Sequence, residues 1–109
     1  MSEWADEVKR KIDLFNSRRG EIDDCLEALI GELKSPPYNL HADCNLVNKQ
    51  DLIWEVKIGA QTFTISEKEI SERQVVVEAD EFGDIVNTGE RKSVKEALQG
   101  LIIEKLKSF

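Results

Sequence analysis

LHADCNLVNKQDLIWEVKIGAQTFTI, residues 40–65, decides the fold. Leu40, Ala42, Cys44 and Leu46 alternate with His41, Asp43 and Asn45, and Leu52, Trp54, Val56 and Ile58 alternate with Ile53, Glu55 and Lys57. A period of two puts successive side chains on opposite faces, so each run predicts a strand with one dry and one wet face. Asn48-Lys49-Gln50-Asp51, between the runs, is made of turn formers and predicts a hairpin. Gly59-Ala60 interrupts the pattern again, and Phe63 and Ile65 against Thr62 and Thr64 predict a third strand. Connections this short join neighbours in space, which makes the sheet an antiparallel meander.

Upstream, Ser35-Pro36-Pro37 separates the sheet from a helical region, because proline excludes its predecessor from helical backbone and cannot donate to the ladder. Val8, Ile12, Phe15, Ile22, Leu26, Leu29 and Leu33 recur at helical spacing, with Arg19 the one interruption. An unbroken helix from Glu3 to Lys34 would be roughly 45 Å long. Asn16-Ser17-Arg18-Arg19-Gly20 offers the alternative of two shorter helices folded on each other. Downstream, a fourth strand is expected from Gln74 to Ala79, with Val75, Val77 and Ala79 inward, and then a loop or irregular edge strand over residues 80–89. Ser93-Val94-Lys95-Glu96 is a capping box, followed at helical spacing by Ala97, Leu98, Leu101, Ile102, Leu106 and Phe109. The expected fold is α+β, two layers in the order α-β-β-β(-β)-α. An antiparallel meander over residues 38–88 carries the helices, residues 1–34 and 93–109, on one face of a single domain, 1–109.

The chain has 109 residues, 40% hydrophobic and 34% charged, which allows one core and argues against disorder. No basic stretch followed by an apolar run is present, so neither a signal peptide nor a membrane anchor is expected and the location expected is cytoplasmic. Cys25 and Cys44 are too few for a disulfide framework and are expected as thiols. The single histidine, His41, falls on the wet face of its strand, with the nearest thiol, Cys44, on the other. That leaves no pairing of nucleophile and base, and two Cys with one His cannot complete a tetrahedral zinc site. The acids Glu78, Asp80, Glu81 and Asp84 lack the ligand spacing of a calcium loop, and no glycine-rich phosphate loop occurs. No enzymatic activity, metal or cofactor is expected.

What the pattern offers instead is surface for other proteins. The net charge is −7, unevenly placed: residues 20–35 carry −4, residues 67–90 carry −6 and residues 91–109 carry +3. Segregated acid steers association with a basic partner. Asp23, Asp24, Glu27, Glu78, Asp80, Glu81 and Asp84 are the residues expected to do so. Ile22, Leu26, Leu29 and Leu33 already supply the stripe that the sheet needs, which leaves Trp4, Val8, Ile12 and Phe15 surplus. A second copy packed antiparallel would bury them and set Lys9-Arg10-Lys11 near Asp23, Asp24 and Glu27 of its partner. The expectation is a cytoplasmic, homodimeric interaction module, an adaptor or inhibitor.

Several strings resemble the double-stranded-RNA-binding domain family. Pro36-Pro37-Tyr38-Asn39-Leu40 is similar to the family's loop into its first strand, and residues 54–63 to its second strand, glycine turn and start of the third. Ser93-Val94-Lys95-Glu96-Ala97 looks like the start of its last helix. The resemblance implies the order helix, three strands, helix, and, as the alternative function, duplex RNA held by Lys92, Lys95, Lys105 and Lys107. Lys95 matches the family's basic cluster, whereas Val94 and Leu98 stand at lysine positions, and residues 46–51 lack the family's Gly-Pro and His. Domains of this shape without those contacts are protein-binding and dimerising modules, and nucleic acid is accordingly not the partner expected here.

Overall fold

The structure of the chain, a computed structural model, describes residues 2–79 and 85–108, and side chains outside 76–90. Helix α1 runs from Glu3 to Lys34 as 32 unbroken residues. The stripe therefore keeps one register across Gly20, and the hairpin alternative is not what forms. Glu3 and Asp6 lie in its first turn and Lys34 in its last, matching the helix dipole at both ends. Its buried and half-buried residues all lie within 18–33, and every residue from 2 to 17 is exposed.

The meander forms as the alternation predicts. Strands β1 (Ala42–Asn48), β2 (Ile53–Ile58) and β3 (Gln61–Ser66) pair in that order, all antiparallel. Across it, Leu46, Trp54 and Ile65 are aligned, as are Cys44, Val56 and Phe63, so one face gathers the apolar residues. Asn48 accepts the N–H groups of Gln50 and Asp51 on its own carboxamide, which closes the first turn. Leu52 belongs to that turn and not to β2; it holds a left-handed φ of 52° while its side chain is buried. Gly59 alone takes positive φ in the two-residue second turn, the position where a II′ hairpin needs glycine.

Beyond β3 the expected boundaries change. A short helix α2 (Glu67–Gln74) intervenes, so Gln74 is helical and the next strand, β4 (Val75–Ala79), begins one residue later. β4 does not extend the meander; it pairs with β5 (Ile85–Arg91) as a separate two-stranded sheet. Part of the expected loop is thus strand, and one sheet over 38–88 becomes two with a helix between them. Ser66-x-x-Glu69 explains α2: the Ser66 hydroxyl accepts the Glu69 N–H while the Glu69 carboxylate accepts the Ser66 N–H. Helix α3 (Val94–Lys105) starts at the expected cap, where Ser93 accepts the Glu96 N–H, and ends at Lys105 before Leu106. Phe109 lies outside the described residues.

One core joins the layers. Ile22, Leu26, Leu29 and Ile30 of α1 and Ala97, Leu98, Leu101 and Ile102 of α3 lie with Trp54, Val56 and Ile65 of the sheet and Ile70 of α2. Two polar devices lock the edges of that core. Gln74, 6% exposed, accepts from Arg18 Nη2 at 2.6 Å and donates to the Lys92 carbonyl at 2.9 Å, while Arg18 Nε donates to Glu67 at 3.2 Å. Arg18 thereby pins α1 to α2 at the point where the long helix leaves the body. On the other side, Arg73 pairs with Glu104 across α3, passing over Gly100, where an added Cβ would come within 2.9 Å of the guanidinium.

Candidate interaction surface on the N-terminal helix

Residues 3–17 form about four exposed helical turns, about 22 Å long, ahead of the first core residue, Ile22. At 100° per residue, Trp4, Val8, Ile12 and Phe15 occupy one arc of about 80°, on the same side as Ile22, Leu26, Leu29 and Ile30. The stripe that packs on the sheet in the second half of α1 is bare in the first half. Trp4 is 74% exposed, Ile12 54%, Val8 48% and Phe15 37%. Leu14, exposed as well, lies off the stripe and was not distinguished by the spacing. The bare segment is held helical by its own charges, Lys9 with Asp13 at 2.7 Å and Arg10 with Glu7 at 3.3 Å.

The chain as a whole is also open. The chain exposes 8053 Å², whereas a monomer of 12.4 kDa is expected to expose about 6,100 Å². Its radius of gyration, 17.1 Å, likewise exceeds the roughly 13 Å of an ordinary domain of this length.

The acidic residues do not act as one group. Asp23 is half-buried and accepts the indole N–H of Trp54 at 2.5 Å, so it serves the core and is not the free, partner-facing acid expected. Asp24 and Glu27 are exposed. The Glu78 side chain and all of Asp80, Glu81 and Asp84 lie outside the described residues. Lys9 and Arg10 face Asp13 and Glu7 of their own helix, which lessens their part in the expected contact with a partner's acids.

The lysines of the RNA reading are also divided. Lys92 and Lys95 stand at the start of α3 and Lys107 beyond its end. Lys105 is engaged by the Glu69 carboxylate at 2.6 Å and the Thr64 carbonyl at 2.7 Å. Burial opposes ionisation of Glu69, but the Lys105 ammonium and the Ser66 donors outweigh it and hold the carboxyl below its ordinary range. A cation so held is not available to a phosphate. The chain is expected to bind duplex RNA no tighter than about 10⁻⁴ M at moderate salt, as read by fluorescence anisotropy. A micromolar complex weakened by salt and by Lys95→Glu would restore the RNA reading.

His41 is exposed, and Cys25 and Cys44 are half-buried free thiols. Among the described residues no group of three or more His, Cys, Asp and Glu could hold a metal ion, and no helix is long and apolar enough to cross a membrane. No family model, curated protein or solved structure matches the chain.

Proposed function

We propose that this chain is a non-catalytic cytoplasmic protein-interaction module, an adaptor or inhibitor, whose N-terminal helix is the binding element and pairs with a second copy. The observation that carries the reading is the line Trp4, Val8, Ile12 and Phe15, bare on a helix whose other half uses the same side to pack a core. Removing each such side chain from water is worth about 1.5–3 kcal/mol, a driving force that solvent exposure leaves unused.

The covered second half of α1 favours one register. The matching side of residues 22–33 is filled by the sheet and α3, so full-length overlap has no apolar surface to offer the partner's stripe. Two first halves laid antiparallel do, with Trp4 of one beside Phe15 of the other and Val8 beside Ile12, a register in which residues 9–11 of the two chains lie near each other and not beside the partner's Asp23, Asp24 and Glu27. Each partner helix then lies where the other chain's sheet stops. The reading also fits a reducing compartment, in which Cys25 and Cys44 stay thiols.

Sedimentation equilibrium at tens of micromolar tests it. The expected mass is about twice 12.4 kDa, falling to a single chain on Ile12→Asp with Phe15→Asp. Since neither residue contributes to the core, the variant should unfold at the temperature of the unmodified chain extrapolated to infinite dilution. A 12.4 kDa species from the unmodified protein refutes the dimer.

A further inference from the structure

The three-stranded sheet has two edges, and they are finished differently. On the β3 side, the Thr64 carbonyl accepts Lys105 Nζ at 2.7 Å, and the Gln61 carboxamide pairs reciprocally with the backbone of Lys107, at 3.0 and 2.7 Å. That edge is partly covered by the end of α3 and the segment that follows it. No strand among the described residues pairs with the outer side of β1. Gly59 donates to the His41 carbonyl at 2.7 Å, which places that pair among the hydrogen-bonded ones. By the antiparallel alternation, Asp43 and Asn45 also bond to β2, and the N–H and C=O groups of Ala42, Cys44 and Leu46 point away from the sheet. The Cys44 N–H shows this orientation directly, since it is taken by the carboxylate of its neighbour Asp43 at 2.9 Å and not by β2.

Above this edge the helical layer is thin. Cys44 and Leu46 face the apolar side yet remain half-buried, whereas Trp54 and Val56 beside them on β2 are 1% and 0% exposed. The flanks are acidic. Burial pushes the Cys44 thiol pKa up, and the carboxylates of Asp43, Glu27 and Asp23 push it further, which places acids from both β1 and α1 around the same edge. Lys57, the cross-strand neighbour of Asp43, lies 3.8 Å from Glu55.

We infer that the outer edge of β1 receives an extended segment of a partner polypeptide as a fourth strand, and that the segment carries lysine or arginine side chains. The backbone groups of Ala42, Cys44 and Leu46 supply the ladder, the Cys44 N–H once the Asp43 carboxylate turns from it to the incoming cation, and Asp43 on one flank with Glu27 on the other selects the charge. A second copy's β1 is a poor occupant, because Ala42–Asn48 carries no lysine or arginine to meet these acids. The site is separate from the helix stripe and stands whether or not the chain dimerises.

The test uses the full-length chain and a fluorescein-labelled heptapeptide of alternating Lys and Val. Anisotropy should show saturable binding that weakens with salt and by about tenfold on Asp43→Lys. Amide exchange at Ala42, Cys44 and Leu46 should slow when the peptide is bound. The same peptide with Pro in place of Val keeps the charge but cannot donate to a ladder, and should lose about tenfold or more in affinity. The Ile12→Asp, Phe15→Asp chain should bind as well as the unmodified one, so failure of the dimer leaves this result intact. Equal binding of the Pro peptide, slowed exchange elsewhere than β1, or no binding at millimolar peptide would each overturn the inference.

Discussion

Trp54→Ala is expected to lower stability by about 3–5 kcal/mol, read as a shift in the urea midpoint at constant slope. Trp54 is the largest fully buried side chain, on the middle strand, with Leu46 and Ile65 as its cross-strand neighbours. Truncation removes the transfer free energy of the indole and leaves a cavity between two layers that α1, α3 and the sheet all line. It also strips Asp23 of the donor it holds at 2.5 Å. Trp54→Phe separates the two losses, since most of the packing survives while the hydrogen bond does not, and about 1–2 kcal/mol is the expected cost. Glu55→Ala, one residue along on the other face, should lie within about 0.5 kcal/mol of the unmodified protein. A domain of this size has about 5–15 kcal/mol in all, so the alanine variant stands near the limit of folding at 37 °C. Equal midpoint shifts for Trp54→Ala and Glu55→Ala would refute the assignment of faces.

The faces of the sheet were legible because one side is dry and the other wet, and a one-residue slip would have exposed Trp54 and buried Glu55 and Lys57 together. The surplus of the N-terminal stripe was legible for a related reason: a short sheet cannot cover 32 helical residues, whatever their propensities. Helix α2 was not read, although Ser66 and Glu69 announce it. Its eight residues bury only Ile70 and Gln74, too few for a helical period to show against the alternation on either side. The separation of β4 and β5 from the meander follows from that omission, since the intervening helix is what turns the chain away from the sheet. Asp23 and Lys105 carry contacts that the sequence did not announce. Each is assigned by a partner 31 or 41 positions away, Trp54 or Thr64, and no local pattern marks such a contact. Gln74 is the same case, a polar residue buried only because Arg18 and Lys92 reach it from distant parts of the chain.

Gly20→Pro should cost about 3 kcal/mol or more of helix stability, and the loss should fall on one half of α1. Gly20 lies between Arg18, the last residue that ties the helix to α2, and Ile22, the first that enters the core. Proline at this position removes the N–H that bonds to the carbonyl of Asn16, while the helix beyond it can restart with proline in its first turn. Residues 22–34 therefore keep their place. Residues 3–17 become an isolated amphipathic segment of about four turns, too short to stay helical in water by itself. The helical signal at 222 nm should fall by roughly a quarter, because the three helices hold 32, 8 and 12 residues and about fifteen of these depend on the junction. The dimer should dissociate with them, as the stripe needs a rigid helix to present it. Gly20→Ala should act in the opposite sense. Nothing lies within 4 Å of where its Cβ would sit and the backbone is helical, so reduced freedom in the unfolded chain should raise stability by about 0.4–1 kcal/mol. If the proline variant kept both its helicity and the two-chain mass, pairing would not need an unbroken helix across Gly20, and the stripe would not be the contact between the copies.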